Sequence, residues 1–285
     1  LFLMNQLKFI DLFAGIGGFH LALAKLGMKC VFACEIDKYA RMIYENYFKP
    51  HNPEVFESNF AEDILNVSHD AIPDFDLLTA GFPCQPFSQA GKKLGFNEAR
   101  GTLFFEIAKL IQAKQPKAFL LENVRNLASH DDGKTLNVIK NTLLELGYSF
   151  NAKVLRASAY GLPTHRPRIY IVGFKDQSIK FDFPEPIPLK FTMSDIFKGE
   201  CNKTIGYTLR VGGKNSGLYD RRNWDTYLVN NTPHTITVEE SKLMMGFPKE
   251  FSFDLVSKTQ AQKQLGNSVA IDVIEEIGKQ IIKYI

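Results

Sequence analysis

The first 175 residues alternate short apolar runs with amphipathic segments, and few folds accept that order. Leu7 to Phe13 reads as a strand, followed by a glycine-rich turn and a helix from Phe19 to Leu26. Lys29 to Ala33 reads as a second strand and Lys38 to Phe48 as a helix. Phe75 to Thr79, Ala118 to Leu121 and Arg168 to Phe174 have strand patterning, while Thr102 to Ala113 and Thr135 to Leu146 carry a helical period. The expected fold class is α/β: a mostly parallel, Rossmann-like sheet with helices on both faces.

Near residue 175 the pattern breaks. From Lys175 to Asn231, Pro, Gly and Asn punctuate the chain and no long helical period is visible. Helical patterning returns at Glu239 to Met245 and Asp272 to Ile282. The expected organisation is a large domain over 1–175, a small irregular or β-rich domain over 176–233, and a return to the large domain over 234–285. A chain of 285 residues that is 45% hydrophobic has enough apolar material for that large core. Its net charge of +3 permits a nucleic-acid partner but confines the contact to a local patch. No apolar run reaches the length of a membrane span, and Leu1-Phe2-Leu3-Met4 is too short for a signal peptide, so the default compartment is the cytoplasm.

Residues with chemical potential gather at the strand ends. Asp11-Leu12-Phe13-Ala14-Gly15-Ile16-Gly17-Gly18 follows the first strand and opens a helix, where free N–H groups and the helix dipole favour a ligand. The plain alternative is a tight turn with no ligand. A dinucleotide site is a third, although the glycine spacing is not G-x-G-x-x-G. Glu35 and Asp37 end the second strand, a position suited to ribose hydroxyls, and Asp63 is a similar candidate for an adenine amino group. Gly81-Phe82-Pro83-Cys84-Gln85-Pro86-Phe87-Ser88 puts a cysteine on a rigid loop at the same edge. A free cysteine is ordinarily a small buried hydrophobe, but these polar and turn-forming neighbours argue against burial. Of the other three cysteines, Cys30 and Cys34 sit in an apolar strand pattern and Cys201 in the insert; no CxxC or HxxxH spacing supports a metal site. Glu122-Asn123-Val124 ends another strand, Arg166-Pro167-Arg168 precedes one, and Gln264-Leu265-Gly266-Asn267-Ser268-Val269 precedes the last helix.

These six blocks, in this order, resemble the DNA (cytosine-5) methyltransferase family of bacterial restriction-modification systems, over residues 7–174 and 235–275. The resemblance implies a SAM-dependent methyltransferase fold with a target recognition domain at 176–233. It also implies site-specific methylation of cytosine C5 in double-stranded DNA, with S-adenosylmethionine (SAM) as donor and S-adenosylhomocysteine as product. The target base must be flipped from the stack, because C5 and C6 are hidden in the duplex. Cys84 is then the thiolate that adds to C6, Glu122 the group at N3 and the exocyclic amine, and Arg168 the holder of O2, with Arg166 supporting it or a phosphate. Phe13, Ile16, Gly18, Glu35, Ile36, Asp63, Pro83, Leu103, Asn267 and Ser268 match positions lining the SAM pocket. Gln85 to Arg100, with Gly91, Lys92, Lys93, Gly95 and Asn97, resembles the loop that closes over the flipped base. The DNA contacts implied are Gln85, Ser88, Lys92, Lys93, Arg210, Arg221 and Arg222, with Lys214, Asn223 and Trp224 beside them. A cognate restriction endonuclease would act on the same site without a stable complex.

The chain departs from the family pattern at Thr164, where Gln is usual, at Glu239, where Arg is common, and at Ser241, where Cys is common. Competing readings are a tRNA cytosine-5 methyltransferase, a non-catalytic DNA-binding relative and, more distantly, a nicotinamide dehydrogenase. Intact Cys84, Glu122 and Arg168 argue against the second of these.

Overall fold

The computed structural model describes residues 6–83, 103–212 and 217–285. Seven strands form one sheet: β1 (Lys8–Leu12), β2 (Lys29–Cys34), β3 (Phe60–Ala61), β4 (Leu77–Gly81), β5 (Ala118–Val124), β6 (Asn151–Arg156) and β7 (Pro167–Phe174). Their order is β3-β2-β1-β4-β5-β7-β6. Every pairing is parallel except those of β7, which runs antiparallel to both β5 and β6. The chain moves outward from β1 to β3, then crosses back to lay β4 on the other side of β1. Such a reversal opens a crevice beyond the carboxyl ends of the strands.

Strand residues alternate between two cores. Phe9, Leu77, Leu120 and Val172 face a cluster built with Phe19 and Leu23 of α1 (Gly18–Lys25), Ile43 and Tyr44 of α2 (Lys38–Phe48), Val55 of α3 (Pro53–Ser58) and Ile274 and Ile277 of α9 (Ile271–Ile281). Ile10, Leu78, Leu121 and Ile171 face a second cluster with Ile107 and Ile111 of α4 (Leu103–Lys114) and Ile139 and Leu143 of α5 (Lys134–Glu145). This period of two on strands flanked by apolar helix stripes is the pattern that predicts a doubly covered sheet.

Three differences from the sequence reading matter for the site. β4 continues to Gly81 rather than ending at Thr79, and β5 to Val124, so Glu122 projects from within a strand. β6 carries no strand signal because it is an edge with only Leu155 buried. α8 (Lys258–Asn267) was hidden by a sequence dominated by Lys and Gln, with Ala261 and Leu265 its apolar anchors.

Between β7 and α7 (Val238–Met244) the described residues are irregular apart from α6 (Met193–Phe197) and a hairpin of β8 (Thr226–Val229) and β9 (Thr232–Thr235). Its buried Met193, Leu209, Trp224 and Tyr227 belong to the same apolar cluster as α9. Lys190 reaches from this region to Asp272 of α9, with Nζ 2.5 Å from Oδ2. Among the described residues, no helix is long and apolar enough to cross a membrane, and no group of three or more His, Cys, Asp or Glu side chains is placed to hold a metal.

Candidate active site

The turn after β1 bends through left-handed backbone at Phe13 (φ 54°), Gly15 (φ 55°) and Gly17 (φ 86°). Two glycines are there for different reasons. A Cβ on Gly15 would meet open space, so that position needs glycine for its φ and leaves a bare backbone facing the crevice. A Cβ on Gly18 would lie 2.5 Å from Val269, so the start of α1 packs directly on the segment after α8.

Glu35 follows β2 and turns its carboxylate back on this turn. Oε2 accepts the N–H of Gly15 at 2.7 Å and Oε1 that of Asp37 at 2.7 Å. Burial raises its pKa, and the backbone donors at Asp37 and Gly15 oppose that rise. An ionised carboxylate offers about four acceptor positions, so two remain for a ligand's hydroxyls. Asp37 is used differently: it caps α2 through Tyr39 and Ala40, and receives Lys263 Nζ at 2.9 Å and Gln264 Nε2 at 3.1 Å. Between these two acids Ile36 is 64% exposed, an apolar platform left open at the crevice. Asp63 keeps Leu65 N–H on Oδ1 at 3.0 Å. Ile16, Gly18 and Ser268 are buried, whereas Asn267 is exposed. Leu103 is partly buried at the start of α4.

The second half of the site is built across β4, β5 and β7. Because β7 is antiparallel, its first residues arrive where β4 and β5 end, and Val124 pairs with Arg168. Arg168 Nε donates to Glu122 Oε1 at 3.0 Å, and both side chains are largely buried. Burial drives the Glu122 carboxyl pKa up, while the Arg168 and then the Arg166 guanidinium pull it down; the net direction is upward. Arg166 is 1% exposed. Its Nη2 donates to the carbonyls of Gly266 (3.0 Å) and Ser268, and its Nε and Nη1 have no partner among the described residues. Burial first, and Arg168 second, lower its pKa to about 9.

Asn123, buried beside Glu122, donates Nδ2 to the carbonyl of Phe82 at 2.8 Å. It therefore fixes the backbone immediately ahead of the exposed Pro83. The sequence reading gave Asn123 no role, although a polar residue at the end of an apolar strand was the available signal. Cys84, Gln85, Ser88, Lys92, Lys93, the rest of the 85–100 loop and Lys214 lie outside the described residues.

Of the remaining DNA candidates, Arg210 and Arg221 are exposed. Arg222 is exposed and gripped by Asp220 through Nε at 3.1 Å and Nη2 at 2.9 Å. Asn223 and Trp224 face inward: the Asn223 amide bonds Leu218 O, Thr226 O and the Asp225 and Thr226 N–H groups, and the Trp224 indole donates to Gly212 O. Cys30 and Cys34 are buried on β2, and burial raises both thiol pKa values, that of Cys34 to about 12.

One sheet edge thus carries a glycine turn with an adjoining acid, an ion-paired carboxylate and a clamped loop entry. The sequence of this chain matches the model of the C-5 cytosine-specific DNA methylase family over residues 7–211 and 207–283. The chain belongs to that family. It is a DNA (cytosine-5) methyltransferase with the α/β methyltransferase fold. It is 40% identical to the type II methyltransferase M.HhaI of Haemophilus parahaemolyticus, covering 98% of this chain and 95% of that protein. It is 41% identical to M.NgoBI of Neisseria gonorrhoeae, covering 95% and 92%. In fold it is similar to a Spodoptera frugiperda DNMT2 mutant, with a TM-score of 0.74 at 19% identity over 97% of this chain and 100% of that one. A DNA modification methyltransferase encoded within an Escherichia coli prophage gives the same TM-score at 21% identity, over 98% and 99% of the two chains.

Proposed function

We propose that this enzyme methylates cytosine within a specific duplex DNA sequence, taking the methyl group from SAM, and that it protects DNA from a cognate restriction endonuclease acting at the same site. The observation that carries the chemistry is the buried Glu122–Arg168 pair, at 3.0 Å, on the edge that the clamped Phe82–Pro83 segment enters. The relatives named type II methyltransferases support the protective role.

The crevice residues fit SAM. Glu35 has free acceptors for ribose hydroxyls, Asp63 for an adenine amino group, and Ile36 and Phe13 offer apolar contact, with the fully buried Ile16 beneath the turn; the bare backbone at Gly15 leaves room for the chain that carries the sulfonium. Gly18, Pro83, Leu103, Asn267 and Ser268 match the remaining pocket positions of the family pattern. SAM supplies an electrophilic methyl group on a positively charged sulfur.

Cytosine C5 is a poor nucleophile until C6 is attacked. The Cys84 thiolate adds to C6 while N3 takes a proton from Glu122, whose burial makes the carboxyl a better proton carrier near neutral pH. The resulting enamine gives C5 its electron pair for the methyl group. A base such as water then takes the C5 proton, the C6–S bond breaks to expel Cys84 as thiolate, and N3 returns its proton to Glu122, which restores the neutral ring. Arg168 holds O2 and fixes the orientation of Glu122. Arg166 acts as a positioning residue: it ties the strand bearing Arg168 to the Gly266–Ser268 segment that packs on the cofactor turn. The surplus positive charge of two arginines against one carboxylate favours a nearby thiolate. Arg210, Arg221 and Arg222, with the 85–93 residues Gln85, Ser88, Lys92 and Lys93, are the DNA contacts.

Bisulfite sequencing of DNA from cells expressing the protein tests this reading. One recurrent sequence with a converted-resistant cytosine is expected. Methyl transfer to tRNA but not to duplex DNA would overturn it.

A further inference from the structure

We infer that Arg41 is a positioning residue for the cofactor, holding the ribose-side loop after β2 and the adenine-side loop after β3 at a fixed spacing. The two loops leave adjacent parallel strands, with Ala33 paired to Phe60 and Cys34 to Ala61. β3 has only two residues and lies at the edge of the sheet. A strand this short has little cross-strand pairing of its own. Where the strands part, Glu35 N–H donates to Ala61 O at 3.2 Å. Arg41 closes that junction. Its Nη1 donates to Glu35 O at 3.1 Å and to Ala61 O at 2.5 Å, and its guanidinium lies 4.3 Å from the centre of the Phe60 ring. One planar cation thus joins a carbonyl of each loop and the aromatic ring beside them.

The groups on either side of this junction are the ones that face the ligand. The Glu35 carboxylate is aimed by Gly15 and Asp37 N–H, so with its carbonyl on Arg41 the whole residue is fixed, and the exposed Ile36 follows directly. On the other side only Glu62 separates the held carbonyl of Ala61 from Asp63, whose Oδ1 keeps Leu65 N–H. The base of Arg41 is itself anchored. It stands near the start of α2, with its N–H on Asp37 O at 2.9 Å, and Asp37 caps that helix and is held by Lys263 and Gln264. A loop held by solvent alone would have to be ordered by each ligand that binds, at a cost in affinity. Arg41 removes that cost before the ligand arrives.

The inference rests on the reading that SAM occupies this crevice. It is tested by isothermal titration of the protein without DNA, using SAM and 5′-methylthioadenosine, which carries the adenosine half without the amino acid. Arg41→Ala should weaken both ligands by about tenfold, the worth of part of one charge-assisted hydrogen bond. Hydrogen exchange of the ligand-free variant should rise over residues 60–65, while kcat at saturating SAM and KM for DNA stay within about twofold of the wild type. Arg41→Lys keeps a donor without the planar fork and should lose about threefold; it carries the same test if Arg41→Ala does not fold. A brace of the sheet edge alone would lower the melting temperature and leave both affinities within about twofold, and that result overturns the inference. So does a loss confined to SAM, which would place the effect at the amino-acid end. A wild type that binds neither ligand would instead overturn the cofactor reading.

Discussion

Arg168 and Glu122 face each other across the antiparallel β5–β7 pair, Nε to Oε1, at 3.0 Å. The reversed direction of β7 makes this possible: a parallel strand would present its carboxyl end here instead of its first residues. Burial and two cations act on this one carboxyl in opposite senses, with burial the larger.

Glu122→Gln keeps the shape of the side chain but has no proton to give N3. Its kcat should fall by about 100- to 10,000-fold, the usual worth of general acid–base catalysis, with SAM affinity unchanged. Arg168→Lys keeps the charge without the planar fork and should lower kcat while leaving the fold intact. Single-turnover methyl transfer with isothermal titration of SAM separates the two effects. Full kcat in Glu122→Gln would remove Glu122 from the mechanism.

Asn123→Ala removes the only side-chain donor that the described structure shows on Phe82 O. The loss of a buried hydrogen bond should cost about 1–2 kcal/mol, lowering the melting temperature by a few degrees. The loop entry to Cys84 should loosen as well, so kcat should fall more than SAM affinity. Differential scanning calorimetry and steady-state kinetics read both quantities.

His20 gives a pH prediction. Its ring is buried, stacked on Phe48 at 3.9 Å and bonded to Tyr44 Oη at 2.7 Å, and burial lowers its pKa from 6.5 to about 3. The unfolded chain therefore takes up this proton before the folded one does. The contribution of His20 is fully present above about pH 6.5 and is lost as the pH falls towards about 3, by at most about 1.4 kcal/mol per unit. His20→Phe keeps the stacking and should make stability less dependent on pH between 6.5 and 4. Urea unfolding across that range checks the slope; an unchanged slope contradicts the assignment.

Ser241 is fully buried in α7, and its hydroxyl has no hydrogen-bond partner among the described residues. Cysteine, the commoner residue at this position of the family, fills nearly the same space without an unsatisfied strong donor. Ser241→Cys should therefore stabilise the protein by about 1 kcal/mol, raising the melting temperature by about 2 °C. Equal or lower thermal stability would show that the hydroxyl is satisfied in solution.

Much of the fold was legible because it depends on local period. The runs Phe9–Leu12, Leu77–Ala80 and Phe119–Leu121 are nearly continuous in apolar residues because successive side chains face two cores in turn. β6 was not legible, since an edge strand with one buried residue leaves no alternation to read. For the site, the strand-end positions of Glu35 and Glu122 could be read because a parallel sheet gathers its carboxyl ends. The bond between Asp37 and Lys263 could not, because it joins residues far apart in the chain through the docking of α8 on α2. Asn223 and Arg222 look equally polar in sequence, yet one is buried and fully bonded and the other is exposed. Only packing separates them. Thr164, a departure from the family pattern, proves to be buried and to bond Tyr207 O, tying β7's approach to the insert.

The most direct test of the whole account is covalent. Duplex DNA carrying 5-fluorocytosine at the methylated position lacks the C5 proton whose loss frees the enzyme. With SAM, the wild type should form a denaturant-resistant complex, and peptide mass spectrometry should map the adduct to Cys84, with Cys84→Ser forming none. An adduct at another residue, or an undiminished complex in Cys84→Ser, would contradict the mechanism.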